Sequence, residues 1–361
     1  MSNILETVGE SGRRKAARDP NTPKKYLAIL AKDPSFAVRA KVAQNKSASL
    51  HILRVLSNDK HFYVRASAVR DGLPATIIKK LADDVDSHVR RNVAKLSSTP
   101  LSILVKLAGD ADPNVVQHVA RRKALPESTV RRLAESECDD VRGVIARRKN
   151  LPEDLVRKLS KDSDMEVRRR IARRKDLPED LVWEMGKDKS WWVAGEIAGR
   201  KNLPEDLVWV MSMDERKWVR DRIAQRRNLP RYVITALAKD KDRLIRSKIA
   251  SRADLFDNVV RQLCTDPDME VRLAVALRQS LPYDLLEKLA NDCHGTVRRR
   301  MAQRKDLPED LVRKLSKDTW ARVRAEIACR GRNNLPDDVV ESLRKDPHTA
   351  NRVELADDCT N

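Results

Sequence analysis

Aromatic side chains are scarce in this chain: six Trp, four Tyr and three Phe among 361 residues. Strands favour aromatic and β-branched residues, so a large sheet sandwich is excluded. Ten Gly leave few of the φ > 0 positions that tight hairpins need. The five cysteines, Cys138, Cys264, Cys293, Cys329 and Cys359, are scattered and odd in number, which fits neither a CxxC metal site nor a disulfide scaffold. There is no apolar run of about 18 residues that could span a membrane. The opening Met-Ser-Asn-Ile-Leu-Glu has neither the basic start nor the apolar stretch of a secretory signal. A reduced, cytoplasmic protein is the expectation. The six His are dispersed, and no GxxxxGK loop, GxGxxG fingerprint or GxSxG elbow occurs, so no metal and no cofactor is expected.

Charge is plentiful. Lys+Arg number 74 against 54 Asp+Glu, for a net charge of +20. The hydrophobic set is 41% of the chain, enough for a core but a thin one. Length alone suggests two or three domains, but an internal repeat removes that inference. Leu-Pro-Glu-Asp-Leu-Val occurs at 151, 177, 203 and 307, and related starts stand at Leu73, Thr99, Leu125, Leu229, Leu255 and Leu281. From 73 to 307 every interval is 26 residues; weaker copies begin near Thr22 and Ala48, and the last step, to Leu335, is 28. The chain reads as one array of about twelve 26-residue copies over 22–344, between an N-terminal cap at 1–21 and a polar C-terminal cap at 345–361 containing Glu354, Asp357 and Asp358.

Each copy reads as two short helices. In the copy at Leu151, Pro152 stands near the first helical position, where its missing N–H costs nothing. Glu153 and Asp154 suit the positive end of the helix dipole. Leu155, Val156 and Leu159 form an apolar stripe at helical spacing. Ser163 or Asp164 can cap a second helix that buries Val167, Ile171 and Ala172. Neither helix is long enough to stand alone in water, so stacked neighbours must bury the apolar faces. A second periodic signal is an Asp six residues before an Arg, from Asp33/Arg39 to Asp318/Arg324, with Asp346/Arg352 beyond the longer interval. These arginines follow a buried Val or Ile, which predicts an inter-repeat Asp–Arg ladder rather than ligand contacts.

The pattern Leu-Pro-x-x-Leu-Val-x-x-Leu-x-x-Asp-x-x-x-x-Val-Arg-x-x-Ile-Ala-x-Arg, over roughly 22–356, resembles the variant leucine-rich repeat, a relative of HEAT-like repeats. The resemblance implies an all-α, right-handed superhelical α-solenoid with the second helices on its concave face. The iron–sulfur cysteine cluster of one member of that family has no counterpart at this N-terminus, so the resemblance brings no such cofactor.

Another arginine stands three residues after the buried Ile or Val of each second helix: Arg122, Arg148, Arg174, Arg200, Arg226, Arg252, Arg278, Arg304 and Arg330, nine consecutive copies. Arg70 is an earlier copy, Leu96 breaks the series, and Asn45 holds the place where the family pattern tends to have Asn. Basic neighbours follow at Lys123, Lys149, Lys175, Lys201, Arg227 and Lys305, and others precede at Arg121, Arg147 and Arg173. The alternative is helix-end chemistry, in which a cation gains about 0.3–1 kcal/mol from the dipole and the free carbonyls, and Lys would serve nearly as well. Arg without a single Lys points to an acceptor that needs a planar, bidentate donor, such as phosphate or carboxylate. With helices about 8–10 Å apart, the ladder would follow the backbone of duplex DNA, about three base pairs per repeat. Phosphate contacts would position the protein without reading sequence.

Five of the six Trp fall between 183 and 218. Trp191, Trp192, Trp218 and Glu196 are the candidate pocket, with Trp192 and Glu196 sharing a helix face. Trp192/Glu196 is similar to the aromatic–carboxylate pairing of HEAT-like alkylpurine DNA glycosylases, although those enzymes have longer, irregular repeats. The alternatives are that these Trp fill core or inter-repeat gaps, since Trp183 and Trp209 occupy equivalent first-helix positions, that they make simple base or sugar contacts, or that they form a protein-docking patch. Three functions are therefore expected in order: non-enzymatic binding of nucleic acid, duplex DNA before RNA; docking of an acidic protein; and base excision. No membrane partner is expected.

Overall fold

The computed structural model describes residues 9–349, and among them twenty-six α-helices and no strand occur. They form two compact units, residues 1–181 and 182–361, with the boundary inside the helix Glu179–Gly186. Twelve first-helix/second-helix pairs run from Lys24–Leu30 and Phe36–Gln44 to Glu309–Leu315 and Ala321–Ala328. The chain is an all-α, repeat-based α-solenoid. No described helix is long and apolar enough to cross a membrane.

The local signals act as their chemistry requires. Pro152 is the N-cap of the helix Glu153–Ser160, with ψ 142, and its carbonyl accepts from the N–H groups of Leu155 and Val156. Of the two candidate caps for the next helix, Met165–Ala172, Asp164 accepts from Val167 N–H at 2.9 Å. Leu155, Val156, Leu159, Val167, Ile171 and Ala172 are buried. Each large aliphatic among them contributes roughly 1.5–3 kcal/mol on burial. Within each unit, successive second helices approach one another more closely than successive first helices do, which makes the second-helix row the inner one.

The Asp–Arg ladder stitches this inner row. The guanidinium of each Arg donates through Nη1 to the carbonyl of the Asp six residues before it, and through Nε and Nη2 to the carboxylate of the next copy's Asp. In the first unit Arg39 reaches Asp59 at 2.6 Å and the Asp33 carbonyl at 2.7 Å. In the second unit Arg220 reaches Asp240 at 2.6 Å and the Asp214 carbonyl at 2.8 Å. The same carboxylates accept the backbone N–H two residues on, as Asp162 does from Asp164. One Asp thus fixes the turn into its own second helix and the stacking of the copy before.

Two copies depart from this rule. Val116 replaces one ladder Arg, and Ser136 replaces the Asp it would have met, so neither charge is stranded. Ala194 replaces another while Asp214 remains. There Arg216 turns back to pair with Asp214 at 2.7 Å and gives its Nη1 to the Asp188 carbonyl that Ala194 cannot serve.

The array also begins earlier than the sequence repeat suggested. Helix Glu10–Arg18, inside the expected cap, packs where a second helix stands and donates Arg13 to Asp33 at 2.7 Å. Residues 350–361, with Arg352, Glu354, Asp357 and Asp358, lie outside the described residues. Gly72 (φ 90) and Gly331 (φ 78) are the described residues with positive φ, and they stand where copy spacing leaves 26. A left-handed residue without a Cβ lets the connection shorten or lengthen there.

Candidate functional site

The ladder expected to bind phosphate turns its donors into the array. Arg148 donates to the Arg122 carbonyl at 2.6 Å and the Lys123 carbonyl at 2.7 Å. Arg174 donates to the Ala146 and Lys149 carbonyls and to Asp176. In the second unit Arg226 donates to the Ala198 and Lys201 carbonyls at 2.9 and 3.0 Å and to that of Arg200. Arg122, Arg252, Arg278, Arg304 and Arg330 make the same kind of contact one copy back. The acceptors are the carbonyls that a helix C-terminus leaves without intrahelical partners. Burial pushes Arg148, Arg226, Arg278 and Arg330 below the usual arginine value, as expected of charges facing carbonyls rather than carboxylates.

The choice of Arg over Lys therefore does reflect a need for a planar, multi-pronged donor, but the acceptor is backbone. Asn45 confirms the role: its side-chain amide donates to the Ala17 and Asp19 carbonyls, both at 2.8 Å. Where Leu96 interrupts the series, Asn92 donates to the Ala66 carbonyl. Three ladder members also find carboxylates two residues on, since Arg174, Arg252 and Arg304 pair with Asp176, Asp254 and Asp306.

The residues flanking the ladder point outward. Lys123, Lys149, Lys175, Lys201, Arg227 and Lys305 are exposed, and so are Arg121, Arg147 and Arg173. In the first unit Arg121, Lys123, Arg147 and Lys149 line a basin of about 640 Å³ with Gln117, Val144, the ladder residue Arg148, Arg170 and one carboxylate, Asp140. None of the first four cations makes an ion pair; Arg121 donates only to the Gln117 amide. Gly143 is what admits Arg170, whose guanidinium lies where a Cβ would stand. His118, packed nearby, is held below its ordinary value by burial first and by Lys95, Arg121 and Arg91 next. On the first-helix row Arg157 bridges Glu153 and Asp180, and Arg131 bridges Glu127 and Asp154.

Charge is divided unevenly between the units. Residues 1–181 hold 38 Lys+Arg and 24 Asp+Glu, and residues 182–361 hold 36 and 30, so net charges are +14 and +6. The sequence signal for this was available in the Arg-Arg-Lys triplets at 121, 147 and 173, whose outer two members matter more than the middle one.

The tryptophans do not assemble into one pocket. Trp183 and Trp209 lie on first helices, with Trp209 edge-on to Tyr232 at 5.3 Å. Trp191, Trp192 and Trp218 lie in the first turns of second helices, with Glu196 one turn further along. Trp192 and Trp218 are 42% and 59% exposed, so neither fills the core. No three His, Cys, Asp or Glu side chains converge as a metal site among the described residues.

No protein-family model matches the chain, and no curated protein matches it. Among solved structures it is similar to a leucine-rich repeat variant with a novel repetitive structural motif, at 25% identity and a TM-score of 0.51, over 61% of this chain and 87% of that one. It is also similar to a Kap95p–RanGDP structure, at 11% identity and a TM-score of 0.36 over 95% of this chain and 57% of that one. A Pds5–Scc1 complex gives 12% identity and a TM-score of 0.27 over 93% and 66%. The last two likenesses carry no argument here. The resemblance to the variant repeat, read from the sequence pattern, is thus met among solved structures as well.

Proposed function

We propose that this chain is a helical-repeat scaffold that holds an acidic protein segment on the inner row of its first unit. The observation that carries this reading is the basin of Arg121, Lys123, Arg147 and Lys149, four exposed cations without a carboxylate partner in a unit of net charge +14. Val144, part-exposed, lies among them and gives a partner apolar contact as well as charge. A protein segment can use both, whereas a phosphate backbone uses only the charge. Nucleic acid is the second reading, favoured by the guanidinium forks of Arg121 and Arg147. It now rests on these flanking cations rather than on nine ladder arginines. No catalytic step is assigned to Glu196.

A twelve-residue oligoglutamate peptide, a 25-base-pair duplex and a dT25 strand, each titrated across a salt series, test the proposal. The peptide should bind at low salt and lose at least tenfold in affinity in Arg147→Ala/Lys149→Ala. Absence of peptide binding, or binding indifferent to that change, rejects the scaffold reading. Duplex bound far more tightly than peptide, with a log–log salt slope of about −4 from four phosphate contacts, would assign the basin to nucleic acid instead.

A further inference from the structure

A second surface lies on the other unit and has different chemistry. Three consecutive second helices, Trp191–Ala198, Lys217–Ala224 and Arg243–Ala250, pack side by side. Each presents a large apolar side chain at its second position: Trp192, Trp218 and Leu244, the last 49% exposed. Trp191 stacks on Trp192 with centroids 3.8 Å apart and approaches Trp218 at 5.7 Å, the planes within 28°. The rings are therefore held by one another before any ligand arrives, which lowers the ordering cost of binding.

Three cations at this edge are already engaged. Lys217 pairs with Asp242 at 2.7 Å, Arg243 with Asp268 at 3.6 Å, and Arg216 with Asp214 at 2.7 Å. A polyanion has little to gain here. The apolar row is also one side chain wide. Val193, Val219 and Ile245 next to it are buried, and Gly195, Asp221 and Ser247 offer no apolar continuation. An amphipathic helix would need a stripe at least about 100° wide to meet its own apolar face. No strand is described that could accept a peptide by sheet extension.

The geometry points to a proline-rich peptide in the polyproline II conformation as the ligand of this row. That helix has three residues per turn and a rise of about 3.1 Å, so one edge recurs about every 9 Å. Packed helices recur every 8–10 Å or so, and every third residue of the peptide meets one repeat. Aromatic rows recognise such peptides because their backbone is already extended and its carbonyls are open to donors. The indole N–H of Trp218 makes no hydrogen bond among the described residues and can donate to such a carbonyl. The segment spans three turns, about nine residues.

The full chain is to be panned against a random dodecamer peptide library, and the selected peptides titrated by tryptophan fluorescence. Pro enriched at three-residue spacing is expected, with affinity falling at least tenfold in Trp218→Ala and in Leu244→Ala. Trp218→Phe should retain part of the binding, and Arg147→Ala, on the basic basin, should change it less than twofold. Helical content by circular dichroism checks that each variant is folded. Four outcomes overturn the proposal: no peptide recovered, peptides without Pro enrichment, a dT12 strand bound with the same residue dependence, or self-association of the chain that Trp218→Ala abolishes.

Discussion

At the scale of the residue, arginines at adjacent positions of the repeat have opposite duties. Arg226 faces three backbone carbonyls of the preceding copy, while Arg147 faces solvent beside the basin. A guanidinium spans several acceptors from one side chain; an ammonium offers a single point of charge. Arg226→Lys should therefore leave at least one buried carbonyl without a partner and cost about 1–3 kcal/mol of stability. Its affinity for the acidic peptide should stay within twofold. Arg147→Ala should do the reverse, lowering affinity with little change in denaturant midpoint. Equal effects of the two changes on affinity would restore the ladder as a ligand-binding row.

At the scale of the element, what one copy demands of the next is visible where the chain breaks its own rule. The pair Val116/Ser136 drops both charges together, and the Ala194 copy keeps its Asp only because Arg216 comes back to it. Removing one member of a buried pair strands the other, at about 3–5 kcal/mol, whereas removing both often costs little. Arg220 and Asp240 are 6% and 4% exposed. Arg220→Val and Asp240→Ser should each destabilise strongly, and the double variant should lose less than the sum by about 2 kcal/mol or more. Urea unfolding of the four proteins completes the cycle, and additive losses would mean that the ladder pair is not coupled.

At the scale of the whole molecule, the ladder makes stability depend on acid. Burial raises the carboxyls of Asp59, Asp84, Asp162, Asp266, Asp292 and Asp318. The Arg bond, the backbone N–H and the surrounding charge outweigh it, so each is held below its ordinary value. A carboxyl lowered in the folded state contributes stability that is full above the unfolded value of about 3.9 and fades as pH falls through the lower folded one. The melting temperature should be nearly level from about pH 7 to 5 and drop below about pH 4. Melts followed by far-ultraviolet circular dichroism check this, and a level profile down to pH 3 would contradict it. Because most copies contain the same device, the loss should recur along the array rather than at one weak copy.

The 26-residue period, the Leu-Pro starts and the buried Val, Ile and Ala positions were enough to determine paired short helices, their stacking and the Asp–Arg ladder. Each depends on a residue's own backbone preference or on a partner at fixed spacing. The run of nine arginines pointed to acceptors suited to a planar, multi-pronged donor, with a phosphate ligand preferred over helix-end carbonyls. It could not say which acceptor, because helix-end carbonyls carry no residue identity and lie 25 to 28 positions back in the chain. Only the stacked helices bring those carbonyls within 3 Å or so of the guanidinium groups, and only they turn Arg121, Lys123, Arg147 and Lys149 outward without partners. Tertiary packing thus decided which cations hold the array together and which remain for another molecule.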